Sequence, residues 1–108
     1  MVFVIDKSSV PEYIIDSILD SLKCSKINDE DDYYDEVFIA IDEFVSGSTG
    51  ETKDLVDDFG VLNAIRLYKQ EYGEFILDDD DDKVYMTFGF CIIKEWFNNY
   101  YSYEEFSK

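Results

Sequence analysis

The run Val84-Tyr85-Met86-Thr87-Phe88-Gly89-Phe90-Cys91-Ile92-Ile93-Lys94-Glu95-Trp96-Phe97 decides how this chain folds. It is apolar almost without a break, and two periods compete within it. Val84, Met86, Phe88, Phe90 and Ile92 alternate as the inward side of a strand would. Tyr85, Phe88, Ile92 and Trp96 fall on one helical stripe. Strands usually run about four to eight residues and helices about ten or more, so a run this long reads as a helix. Its nearly continuous apolarity asks for burial on several sides, which makes it a central helix. The competing reading is an α+β fold with short strands over 2–5 and 84–92.

The flanking sequence supplies further helices. Ser9-Val10-Pro11-Glu12 has the form of a capping box. Ile14, Ile15, Ile18, Leu19 and Leu22 follow at helical spacing, giving a helix over about 10–23. Tyr34, Val37, Phe38, Ile41, Phe44 and Val45 recur at three and four residues, giving a second over about 31–46. The acids Asp29, Glu30, Asp31 and Asp32 at its start suit the positive end of the helix dipole. Residues 52–59 form a short third helix ending at Gly60. A fourth carries Val61, Ala64, Ile65, Tyr68 and Tyr72 on one face and ends at Gly73. Ser102-Tyr103-Glu104-Glu105 opens a last short turn. There is no internal repeat or linker. The expected architecture is all-α, one domain over 1–108, a compact bundle of four or five short helices.

The charge limits what the domain can bind. The 108 residues hold 26 Asp and Glu against 9 Lys and Arg, a net charge of −17. Acids outnumber bases in both halves of the chain, so the excess is not a tail. Nine Tyr, nine Phe and one Trp set the chain apart from disordered acidic segments, which are poor in aromatics. Solubility needs a net charge of only about 2–8 in magnitude in a small domain, and a larger excess makes a compact body repel itself. The surplus therefore asks for a functional reason. Its sign opposes direct binding to nucleic acid and to anionic membranes. It favours a basic protein surface, a polyamine or metal cations, of which a basic protein surface is the expected partner.

Catalysis finds little support. The chain has no His, the commonest general base and the usual partner of a Ser or Cys nucleophile. It has no Gly-rich phosphate loop, so neither enzymatic activity nor a cofactor is expected. An EF-hand read from Asp78 fails, because Lys83 stands where Gly is needed and Gly89 where Glu is needed. No metal site is assigned. Cys24 and Cys91 match no metal or redox spacing. With no signal peptide and no stretch of about 18 apolar residues, the chain reads as cytoplasmic.

The acidic arrays form the candidate site. Residues three and four apart on a helix lie about 5–6 Å from each other. Neighbouring phosphates on one DNA strand are roughly 6–7 Å apart, consistent with the charge density of the duplex. Asp31, Asp32, Asp35, Glu36, Asp42 and Glu43 are therefore expected to form a phosphate-like ladder, preceded by Asp29 and Glu30. Asp54, Asp57 and Asp58 extend it, and Asp78, Asp79, Asp80, Asp81 and Asp82 form a second patch. Tyr33, Tyr34, Tyr100, Tyr101 and Tyr103 cluster beside acids, and Tyr concentrates binding energy at interfaces. Tyr33 joins the expected contact set.

In its size, its charge, its lack of His and its runs 28–36 and 78–82, the chain resembles the acidic DNA-mimic proteins of phages and mobile elements, including anti-CRISPR and anti-restriction proteins. The resemblance is one of class and implies no particular fold. It implies an inhibitor that occupies the DNA-binding channel of a nuclease complex. An immunity protein or antitoxin that neutralises a cognate basic toxin shares the same features. A structural subunit of a larger assembly is the third reading.

Overall fold

The computed structural model describes residues 5–73 and 81–107, at 81 and 82 the backbone alone. Every regular element among them is a helix. The chain enters through a 3-10 turn, Lys7–Ser9. Six α-helices follow: α1 Glu12–Lys23, α2 Glu30–Gly47, α3 Thr49–Phe59, α4 Val61–Tyr72, α5 Asp81–Tyr100 and α6 Tyr103–Ser107.

Helix α5 overturns the strand alternative for 84–92 and settles the fold as all-α; residues 2–4 lie outside the described set. Helices α2, α3 and α4 pack around α5. Cys91, Ile92 and Ile93 are consecutive and all buried, together with Phe88, Trp96 and Phe97. A strand with one buried face could not hide three residues in a row, whereas a helix packed on several sides can. Two bonds fasten the entry segment to the far end of α5. The Trp96 indole N–H donates to the Lys7 carbonyl at 2.8 Å, and the Tyr100 hydroxyl donates to the Ile5 carbonyl.

The start of α1 departs from the expected capping box. Pro11 is the N-cap residue, the helix begins at Glu12, and no side chain caps it. The cause is Pro11, which pushes its predecessor out of the helical region. Val10 is extended, at φ −116 and ψ 124, so Ser9 cannot stand one residue before a helical position. Ser9 instead closes the 3-10 turn, its N–H donating to the Asp6 carbonyl at 3.0 Å. The apolar stripe does what its spacing promised, burying Ile14, Ile15, Ile18 and Leu22.

Helix α2 begins with a side-chain cap. The Asp29 carboxylate accepts from the Asp32 backbone N–H at 2.8 Å, and the Asp32 carboxylate accepts from the Asn28 N–H at 3.2 Å. Asp29 satisfies a donor that the helix start leaves open, and Asp32 ties back the residue before the cap. The turn between α3 and α4 consists of Gly60, at φ 99, a conformation that residues with a Cβ rarely adopt.

Candidate interaction surface

The buried side of α2 consists of Tyr33, Val37, Ala40, Ile41 and Val45. This corrects the expected stripe, because Tyr34 and Phe38 face outward, 49% and 53% exposed. The side turned from the core carries Asp31, Asp35, Ile39, Asp42 and Glu43, all exposed. Asp32 and Glu36 are half-buried. The helix contains no Lys or Arg.

The ladder is therefore present but interrupted. Asp35 and Asp42 are separated by about 10 Å along the axis at 1.5 Å per residue. Exposed Phe38 and Ile39 occupy the gap. The outer face of α2 is an acidic surface with an apolar centre, a combination that can attract a basic partner and then exclude water from the contact. Asp29 and Glu30 are also exposed, at the start of the same helix, with Asp29 engaged in the cap.

Tyr33 does not belong to this surface. It is 1% exposed, and its hydroxyl donates to the Tyr101 carbonyl at 3.0 Å. Its ring lies 5.7 Å from that of Tyr103 and 5.4 Å from that of Phe106, so it fastens α6 to α2. Burial pushes its phenol well above the ordinary tyrosine range. Tyr100, Tyr101 and Tyr103 are half-buried against the core. Within the tyrosine cluster, Tyr34 is the exposed member.

Asp54, Asp57 and Asp58 are exposed, but they ride on α3. Asp57 has a partner within the fold, accepting from the Tyr85 hydroxyl at 3.3 Å, while Lys53 lies 5.4 Å over the Tyr85 ring. Asp81 and Asp82 open α5. Asp78, Asp79 and Asp80 lie outside the described residues. Among the described residues no group of three carboxylates, thiols or imidazoles is placed to hold a metal ion. None of the described helices is long and apolar enough to cross a membrane.

Beside the outer face of α2 lies an open cleft of about 470 Å³. Phe38, Asp42 and Val45 of α2 form one wall, Tyr68 and Tyr72 of α4 another, and Lys83, Met86, Thr87, Phe90 and Cys91 of α5 the floor. The Phe38 and Phe90 rings meet edge to face at 4.8 Å. Sequence reasoning missed this cleft because it placed Phe38 and Tyr72 in the core. A usable signal was the second stripe of α2, Tyr33-Val37-Ala40-Ile41-Phe44, which is equally periodic.

Behind the cleft, α4 and α5 bring two carboxyls together. Glu71 stands beside Glu95, and its pKa is pushed up to about 7, first by burial and then by that neighbouring carboxyl, with Lys94 opposing. Burial and the same acids push the Cys91 thiol up to about 12, which leaves it an unreactive core residue. The Glu71 shift has a consequence for stability. The folded state holds this proton more tightly than the unfolded chain, where the group titrates near 4.5. The stabilisation is full below about pH 4.5 and is lost as pH rises through 7. Ordinary carboxylates stay ionised between about pH 5.5 and 7.5, so Glu71 dominates that window. Glu71 is only partly buried, and after solvent screening the effect is on the order of 1 kcal/mol. The melting temperature should therefore be several degrees higher at pH 5.5 than at 7.5. Glu71→Gln, which cannot ionise, should flatten that slope. A slope unchanged in the variant would place its origin elsewhere.

No family model matches the chain, and no curated protein or solved structure does so either.

Proposed function

We propose that this protein is an inhibitor that occupies a basic, nucleic-acid-binding surface, such as the DNA channel of a CRISPR–Cas or restriction nuclease complex. The observation that carries the reading is the outer face of α2, where Asp31, Asp35, Asp42 and Glu43 surround exposed Phe38 and Ile39 on a helix without a single base. A field of this sign steers a basic partner toward the face and raises the association rate. The acids supply negative charge of the kind a phosphate backbone presents, and the apolar centre would add hold that a phosphate backbone lacks.

A second reading is an immunity protein that neutralises a basic toxin. The interruption of the ladder at Phe38 and Ile39 and the cleft beside it favour this reading, since an apolar recess suits a protruding protein side chain better than a DNA channel does.

An order-of-addition experiment separates the two. The partner is captured from host lysate, and its DNA binding is followed by gel shift. If the protein occupies the DNA site, adding it first blocks DNA binding, and a partner already loaded with DNA resists it. Stable co-binding of DNA and this protein would reject occupation of the DNA site and support the immunity reading.

A further inference from the structure

We propose that the cleft between α2, α4 and α5 seats a bulky apolar side chain presented by a basic helical segment of the partner protein. The inference rests on the basic protein partner that both readings above share, and specifies the partner element that the α2 face receives.

Chemistry and charge narrow the occupant. The walls are mainly apolar, formed by Phe38, Val45, Tyr68, Tyr72, Met86 and Phe90. A volume of about 470 Å³ is ample for an aromatic or branched aliphatic side chain. Phe38 and Tyr72 flank it, each about half exposed at 53% and 50%, so apolar area remains to be covered. Met86 adds an unbranched, polarizable side chain that adapts to differing shapes. The α2 wall is acidic. Asp42 lines the cleft, and Asp35 and Asp31 share its side of the helix, about two and about three turns toward the N-terminus. Lys83 lines the cleft at the start of α5, so a basic segment would orient its charges toward α2.

Other occupants meet opposition. A second copy of this chain brings its own −17 charge against the same acids. Nucleic acid and anionic lipid are repelled in the same way. An amphipathic helix with apolar anchors on one face and Lys or Arg on its flanks matches both features, the geometry of helix-in-groove recognition.

The test uses a fluorescently labelled Lys-rich amphipathic peptide with Trp and Leu anchors. One control peptide replaces the anchors by Ser at equal charge, and another replaces Lys by Glu. Anisotropy measures binding to the full chain, to Phe38→Ser and to Tyr72→Ser. Both replaced residues are half exposed, so the fold should be retained, with circular dichroism as the check. The anchored basic peptide should bind at least tenfold more tightly than the Ser control. Phe38→Ser and Tyr72→Ser should each weaken it about tenfold, and the Glu peptide should not bind. In nitrogen-edited NMR spectra, amide signals of Met86 and Phe90 should shift on titration.

Equal binding of the anchored and Ser peptides, or wild-type affinity in both variants, would overturn the cleft as the anchor site and leave the charge-based function standing. Failure of every basic peptide to bind would overturn both. Sedimentation showing a dimer that Phe38→Ser dissociates would assign the cleft to self-association and overturn this proposal alone.

Discussion

Gly89→Ala should destabilise the fold by about 1–3 kcal/mol, the usual range for inserting a methyl into filled space. Gly89 lies where α5 passes α3, and a Cβ there would collide with the Thr52 Cγ2 methyl. Thr52 cannot swing the methyl aside freely. It is fully buried, and its hydroxyl donates to the Ser48 carbonyl at 2.8 Å, which fixes χ1. Rotation would leave a buried hydroxyl without its acceptor. In an ordinary helix interior, Gly to Ala gains up to about 1 kcal/mol in helix propensity, so the sign of the change is itself the test.

A second substitution isolates the cause. Thr52→Ser keeps the hydroxyl and removes the methyl, at a cost of about 1 kcal/mol for the space left behind. Combined with Gly89→Ala, the new methyl enters that space. The double variant should then be more stable than either single one, with a coupling of about 1–3 kcal/mol in a urea-melt cycle. Additive single effects, or a stabilised Gly89→Ala, would show that the α3–α5 approach does not constrain this residue.

The same contact shows where sequence reading reaches its limit. A helix over 84–97 was legible from its length, and the ends of α3 and α4 from Gly60 and Gly73. Why position 89 is Gly was not legible, because the reason sits on another helix. Helix α2 makes the point more sharply. Tyr33-Val37-Ala40-Ile41-Phe44 and Tyr34-Val37-Phe38-Ile41-Val45 are both helical stripes, offset by less than half a turn. Periodicity cannot choose between them. The choice is tertiary: α2 packs between α1 and α5, Tyr103 and Phe106 of α6 close over Tyr33, and Phe38 is left half exposed against Phe90. The apolar centre of the acidic face follows from that tertiary decision. The capping box at Ser9 failed for a local reason, the effect of Pro11 on Val10, that the sequence did contain.

The acids of α2 divide by the same logic, and the division sets the largest expected effect on binding. Asp29 and Asp32 accept backbone hydrogen bonds at the start of the helix. Neutralising Asp29 would cost about 1 kcal/mol of stability as a lost cap, so a change in binding there would be ambiguous. Asp31, Asp35, Asp42 and Glu43 are exposed on the outer side, and relieving their mutual repulsion offsets the helix-dipole interaction lost at Asp31, so the melting temperature should stay about level. Changing these four together to Asn and Gln should slow association with the captured partner by about 10- to 1000-fold at low salt, the range that electrostatic steering commands. The effect should fade as ionic strength rises from about 0.1 M to about 1 M, where the screening length falls from about 10 Å to about 3 Å. Neutralising Asp54, Asp57 and Asp58 on α3 is the control. It removes comparable charge away from Phe38 and Ile39, and Asp57 already serves Tyr85, so a smaller slowing is expected. Stopped-flow rates across salt for both variants decide the matter. Equal slowing by the two sets would mean that only total charge counts and that α2 has no privileged face. A wild-type rate in the α2 variant, with slowing confined to the α3 variant, would move the interface to α3.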